Sequence, residues 1–315
     1  MKQYVFGIDL GGTTVKLGLF TVEGELTDKW EIPTRTEDKG SQIMPDIAAS
    51  VKEYLAKKNL TNEQIIGIGV GVPGPISDSG LVSKCVNLGW ENVDLHKEMS
   101  ALTGLNVKGG NDANVAALGE CWKGGGQGAS DLVMATLGTG VGGGIVVDGR
   151  MVAGSHGAGG EIGHVTVNYE ETETCGCGKR GCVEQYCSAT GVVRLTKRYL
   201  AANDTPSVLR DQAFECKDVF AAAAKGDEAA KNVLEQFYEM LGRFLANLAC
   251  ITDPEVIVLG GGVSKAGSVL VDGVSRYYQK NAFLACRDTR ITLATLGNDA
   301  GAYGAFKLAL DAFGA

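Results

Sequence analysis

Hydrophobic and polar positions along the chain follow two programmes that repeat. Tyr4–Leu10 is a short apolar run interrupted by Asp9, followed by the turn residues GGTT and a second apolar run, VKLGLFTV. EGE closes that hairpin, and a third strand runs through Trp30–Ile32. Over 42–58 the apolar positions Ile43, Ile47, Val51, Tyr54 and Leu55 recur at helical spacing. Ile65–Val70 is a continuous apolar run that predicts a buried strand, and VPGPISDSG is a turn-rich loop. Val107–Gly110 predicts another strand, and AALGECWKGG after it a helix.

Past residue 115 the order restarts. Asp131–Leu137 predicts a strand, GTGVGGG a glycine turn, Ile145–Val147 a strand and Asp148-Gly149 a hairpin turn. From Thr190 the pattern turns helical. Val233, Phe237, Leu241, Phe244 and Leu248 place one apolar stripe on a long helix over 229–250. Glu255–Leu259 is a buried strand ending in Gly260–Gly262, with a helix from Ser264, a strand at Ile291–Thr295 and a last helix from Asn298. The halves share an organisation more than a sequence.

Composition narrows the class. At 315 residues, 44% hydrophobic and 21% charged, the chain suits two ordinary globular domains. A net charge of −8 with no cluster of Lys and Arg argues against a nucleic-acid partner. No apolar run approaches the ~18 residues of a membrane helix, and the N-terminus enters a strand without a signal-peptide core, so no membrane partner and a cytoplasmic location are expected. Nine cysteines form no even framework and read as reduced thiols. The 46 glycines cluster at 11–12, 138–144, 157–163 and 260–262, which suggests tight turns and close approach of backbone to a ligand.

Four residues carry metal-ligand chemistry. His164, Cys175, Cys177 and Cys182 supply one imidazole and three thiols, the donor count of a closed tetrahedral zinc site with no position left for water. Such a site is structural. It would fix Glu161, His164 and Glu184 on a loop that is otherwise mobile. Cys187 could compete as a ligand and is read as a helix residue; Cys85, Cys121 and Cys216 are read as small apolar residues.

Gly138-Thr139-Gly140 opens a GxGxxG pattern, but a strand follows where a dinucleotide fold requires a helix. The glycines offer backbone N–H groups to an anion instead. Asp9, Gly11, Gly12 and Thr13 repeat the device near the N-terminus, where Asp9 could hold Mg²⁺ through water. Two phosphate-gripping hairpins imply a nucleotide clamped between two related domains. Asp112, between a strand and a helix, reads as an N-cap. Gly260, Gly261 and Gly262 could pass under an adenine ring or simply let a helix pack closely on the sheet. His96 and His156 are left as structural, and Trp90 and Trp122 as core or interface.

In order, DLGGT (9–13), PGP (73–75), NDAN (111–114), GTGVGGG (138–144), EIGH (161–164), CGCGKRGCVE (175–184) and LGGGVS (259–264) resemble the landmarks of the repressor–open reading frame–kinase sugar kinases. That family lies within the actin, hexokinase and heat-shock ATPase superfamily. NDANVAALGE, GAGGEIGH and SATG (188–191) bring the likeness nearest to the bacterial glucokinases. The resemblance implies a two-domain α/β, actin/hexokinase-like (ribonuclease H-like) fold with an inter-domain cleft and a structural zinc site. The small domain would be 1–112 plus 300–315, and the large domain 113–299. It implies ATP-dependent phosphorylation of glucose at the 6-hydroxyl, with Asp112 as general base. Asn111, Glu161, His164 and Glu184 would bind the sugar, with Pro73-Gly74-Pro75 a rigid turn nearby. Asp9, Gly11–Thr13 and Gly138–Gly140 would bind MgATP phosphates, and Gly260–Gly262 adenosine. A homodimer or homotetramer is expected. The rivals are another acceptor such as fructose or N-acetylmannosamine, a polyphosphate donor, for which no basic track is present, and a sugar-sensing repressor. The repressor would need a helix-turn-helix before the first strand, which begins within four residues of Met1.

Overall fold

A computed structural model describes residues 3–314. The chain divides into two compact units. The first comprises residues up to Gly128, Gly144–Gly160 and the chain from Asn298; the second comprises Ala129–Gly143 and Glu161–Gly297. The first therefore extends past the boundary expected at 112, and it regains 144–160.

In the first unit β1 (Tyr4–Leu10), β2 (Thr14–Thr21) and β3 (Leu26–Pro33) form an antiparallel meander. A single turn, α1 (Glu37–Gly40), and the helix α2 (Ile43–Lys58) lead to β4 (Ile65–Val72), which joins β1 in parallel. The antiparallel pair β5 (Leu81–Cys85) and β6 (Trp90–Asp94), then α3 (Leu95–Thr103), lead to β7 (Val107–Asn111), which pairs in parallel with β4. The sheet order is β3-β2-β1-β4-β7. The helix α4 (Asp112–Lys123) follows β7 directly. The β5–β6 pair and α3 carry mixed patterns, and the apolar periodicity did not announce them.

Strand alternation divides the core between the two faces of this sheet. Phe6, Ile8 and Leu10 are buried with Ile43, Ile47 and Val51 of α2, whereas Val5, Phe20 and Ile66 are buried with Phe306 and Ala309 near the C-terminus. Trp90 belongs to the first of these clusters, and Trp122 packs on Phe306. On the second face glycine sets the spacing. A Cβ on Gly69 would lie 1.7 Å from the Ala305 carbonyl oxygen, and one on Gly304 would lie 1.7 Å from that of Val115. Neither glycine belongs to the clusters expected at ligand-facing turns; both serve close packing. The same contact explains the corrected boundary, because it seats α4 in the first unit against the C-terminal helix.

β8 (Leu132–Leu137), β9 (Val141–Val147) and β10 (Arg150–Met151) open the second sheet, with β9 passing from the second unit into the first. The helices α5 (Glu184–Cys187), α6 (Ala189–Ala202), α7 (Cys216–Ala224) and α8 (Glu228–Thr252) precede β11 (Val256–Gly260). A 3₁₀ turn, Gly262–Ala266, precedes α9 (Ser268–Asn281), β12 (Arg290–Leu293) and the final helix α10 (Ala300–Phe313). The order β10-β9-β8-β11-β12 repeats that of the first sheet, a hairpin edge followed by parallel strands. Among the described residues no helix is long and apolar enough to cross a membrane. All nine cysteines are unbridged.

Candidate active site

The first unit places a carboxylate beside open backbone. Asp9 and Lys16 are register partners on β1 and β2. The Lys16 ammonium lies 3.6 Å from an Asp9 oxygen and donates to the Asn298 carbonyl at 3.3 Å. Desolvation raises the Asp9 pKa, and Lys16 opposes that shift. A Cβ on Gly301 would sit 2.6 Å from the Asp9 Cγ, so the first turn of α10 presents its positive end to the carboxylate. The Gly11 N–H donates to the Thr14 carbonyl at 3.1 Å, and the Thr34 hydroxyl donates to the Gly11 carbonyl at 2.7 Å. Gly12 and Thr13 are exposed, and a Cβ on Gly12 would meet nothing nearer than 3.9 Å. Neither glycine adopts a positive φ, so they leave space at this turn rather than permit an unusual bend.

At the end of β7 the N-cap is Asn111, one residue before the Asp112 assigned to it from the sequence. Asn111 Oδ1 accepts the Ala113 and Asn114 N–H groups at 3.0 and 3.1 Å, and its Nδ2 donates to the Gly74 carbonyl at 3.3 Å. Asp112 is the first helical residue and its carboxylate accepts the Ala113 N–H at 2.8 Å. A capping amide thus aims α4's free N–H groups, and the following carboxylate benefits from the helix dipole. The Pro73-Gly74-Pro75 turn lies against this cap through the Gly74 carbonyl. His96 Nε2 accepts the Gly109 N–H at 2.8 Å, a contact that ties α3 to β7.

In the second unit His164, Cys175, Cys177 and Cys182 converge, with all four ligand atoms within 4.8 Å of one another. The Cys177 and Cys182 sulfurs are 3.6 Å apart, and Cys175 Sγ is 3.9 Å from His164 Nδ1. An ion held tetrahedrally by thiolates at about 2.3 Å requires sulfurs about 3.8 Å apart, so the quartet fits a metal. Burial pushes the Cys182 thiol up to about 12, a proton that a bound cation would displace. Cys187, at the end of α5, is fully buried and outside the quartet. Glu161 precedes the 3₁₀ turn that carries His164 and is exposed. Glu184 opens α5 with Oε1 3.7 Å from Cys175 Sγ, while Oε2 accepts the Val141 N–H at 2.9 Å.

Gly138-Thr139-Gly140 forms the turn between β8 and β9, closed by the Gly138 N–H donating to the Gly140 carbonyl at 2.9 Å. Thr139 and Gly262 line a cavity of about 980 Å³ within the second unit. The three glycines after β11 serve different ends. A Cβ on Gly260 would press on the Met134 side chain, and one on Gly261, at φ 81°, would lie 2.5 Å from the Leu137 carbonyl oxygen. Gly262 has nothing within 4 Å. Close packing therefore accounts for Gly260 and Gly261, and open space for Gly262.

Most of the cavity wall escaped the sequence reading. Thr190, Val193 and Lys197 of α6, with Phe214 and Phe220 near and on α7, line it. Their only signal was SATG followed by an amphipathic segment. Arg194, also in the wall, is held by Glu171 and Glu173 at 2.6 and 2.8 Å. Glu171 is buried; the Arg198 guanidinium, then Tyr186 and Arg194, hold its carboxyl well below the ordinary range against the effect of burial.

The sequence matches the ROK family over residues 5–312. It is 42% identical to a glucokinase of Halalkalibacterium halodurans over 96% of this chain and 93% of that relative. A ROK hexokinase structure from Thermus thermophilus superposes with TM-score 0.81 at 30% identity, covering 97% of each chain. A ROK glucokinase from Streptomyces griseus, solved with glucose and AMPPNP, does so with TM-score 0.74 at 30% identity, covering 98% of this chain and 99% of that one.

Proposed function

The chain belongs to the ROK family, and from that premise we propose that it phosphorylates glucose at the 6-hydroxyl with ATP. The observation that carries the reading is the pair of glycine turns at matching places in two sheets of one order, together with a carboxylate at the start of α4. The first device suits phosphates and the second suits a base.

Asp112 takes the proton of the sugar 6-hydroxyl as that oxygen bonds to the γ-phosphorus, and ADP leaves. Asn111, Glu161, His164 and Glu184 hold sugar hydroxyls. One Asn111 amide hydrogen and both Asn111 oxygen contacts are already engaged in the cap, so its remaining N–H is the group free to turn to a hydroxyl. Gly11, Gly12, Thr13, Gly138, Thr139 and Gly140 face the phosphates. The apolar wall with Phe214 and Phe220 suits the adenine, and Gly262 borders it. Asp9 would hold magnesium through water, and the ion when bound would neutralise phosphate charge. His164, Cys175, Cys177 and Cys182 would hold zinc, which when bound would fix the loop bearing Glu161 and Glu184. We place the protein in the cytoplasm, without a nucleic-acid or membrane partner. A homodimer or homotetramer is in keeping with the exposed Tyr169 and Ile251, which line one groove of mixed polarity.

The test is ADP release with MgATP against glucose, fructose, mannose, N-acetylglucosamine and N-acetylmannosamine, in protein of verified zinc content. Glucose should dominate. Dominance of another sugar would move the acceptor alone, and no release with any sugar would sink the kinase reading. Asp112→Asn should lower kcat at least about 10³-fold while ADP still binds; full turnover in that variant would remove Asp112 as base.

A further inference from the structure

The segment Glu184–Thr190 grips the second glycine turn at three points. Glu184 Oε2 accepts the Val141 N–H at 2.9 Å, the Ala189 N–H donates to the Gly138 carbonyl at 2.7 Å, and the Thr190 hydroxyl donates to the Thr139 carbonyl at 2.7 Å. These bonds fall on Gly138, Thr139 and Val141, the stretch whose remaining N–H groups would meet phosphate. A glycine-rich turn loses more backbone freedom on ordering than any other, so bonds from outside the turn select one of its many conformations.

The gripping segment is itself fixed. Ser188 caps α6 by accepting the Gly191 N–H at 2.9 Å, and its hydroxyl donates to the Glu184 carbonyl at 2.7 Å. Room has been left for the grip, because a Cβ on Gly140 would lie 2.2 Å from Glu184 Oε2. Thr190 and Thr139 both border the cavity. The SATG run is thereby explained as the cap and clasp of a turn distant in sequence.

We propose that Thr190 and Glu184 are positioning residues for nucleotide binding, holding the 138–141 turn in the conformation that accepts the phosphates. This rests on the reading that ATP binds at that turn. Thr190 offers the cleaner test, because Glu184 is also assigned to the sugar. Thr190→Val keeps the side-chain shape and leaves the Thr139 carbonyl without its hydroxyl partner. It should weaken ADP binding, measured calorimetrically, and raise KM for ATP by about tenfold, a loss in keeping with one unsatisfied hydrogen bond. KM for glucose should stay unchanged, and amide hydrogen exchange over 138–141 should quicken. Thr190→Ser should restore both values.

Equal ADP affinity in native and Thr190→Val protein would overturn the inference while leaving the kinase reading intact. So would a Thr190→Ser variant as weak as Thr190→Val, which would mark the methyl packing as the cause. Native zinc-loaded protein that fails to bind ADP would overturn the kinase reading and this inference with it.

Discussion

The β1–β2 and β8–β9 turns occupy the same place in two sheets of the same strand order, yet they are stabilised differently. The first carries its own charges: Asp9 and Lys16 face each other across the hairpin, and α10 closes on Asp9 through Gly301. The second has no charged residue between Leu132 and Val147. Its carboxylate, Glu184, and its hydroxyl clasp, Thr190, come from the segment that follows the Cys/His quartet. The charged pair of the first turn is therefore local to its hairpin, although α10 closes on it, whereas the groups that hold the second come from a distant segment. The competence of the second turn depends on whatever orders residues 164–190.

The strongest test of that contrast exchanges one glycine in each turn for alanine. Gly140→Ala puts a methyl into the Glu184 carboxylate and should lower kcat/KM by about 100-fold, the scale of a misplaced binding group. Gly12→Ala meets open space at an ordinary φ and should leave the melting temperature unchanged, with a smaller kinetic effect. Comparable losses in both variants would erase the distinction.

A second test removes the cation of the local pair. Lys16→Met leaves Asp9 without its partner and should raise KM for MgATP by about tenfold, while glucose binding stays constant. Steady-state kinetics at fixed magnesium decide it, and an unchanged KM would show that the Asp9–Lys16 pair is only structural.

Acid should reach the support of the second turn through Glu171. Its folded pKa is depressed, so the native state binds fewer protons than the unfolded chain at moderately acid pH, and stability rises with pH there. The contribution is complete above the ordinary carboxyl pKa of about 4.3 and is lost as pH falls below it. Glu171→Gln should cost about 2 kcal/mol near neutrality, below the figure for a fully buried pair because Arg198 is 41% exposed. The gap in melting temperature between native and variant should be constant above about pH 5 and narrow progressively below about pH 4. A gap independent of pH would exclude the ion pairs as its source.

The smallest effect is expected at Gly262→Ala, where a methyl enters open cavity without strain. A few-fold rise in KM for ATP at constant melting temperature would place the nucleotide there. A lowered melting temperature with KM unchanged would make Gly262 a packing residue like Gly261.

Features set by short-range chemistry were legible in the chain alone. The Cys/His quartet shows itself through residue type and proximity, Asp9 and the glycine turns through their position after apolar runs, and α8 through its periodic stripe. The repeat of two sheets followed from strand–turn–strand order. Contacts between distant segments were not legible, because no residue pattern states which backbone will lie against which. The cap passed from Asp112 to Asn111 because the amide also had to meet the Gly74 carbonyl. The need for glycine at 69 and 304 became visible only when α10 lay on β4 and α4. Glu184 and Thr190 acquired their second role only when α5 and α6 were set beside the β8–β9 turn. Ligand chemistry and periodicity belong to neighbours in sequence; close packing and hydrogen bonds across the fold are decided by topology.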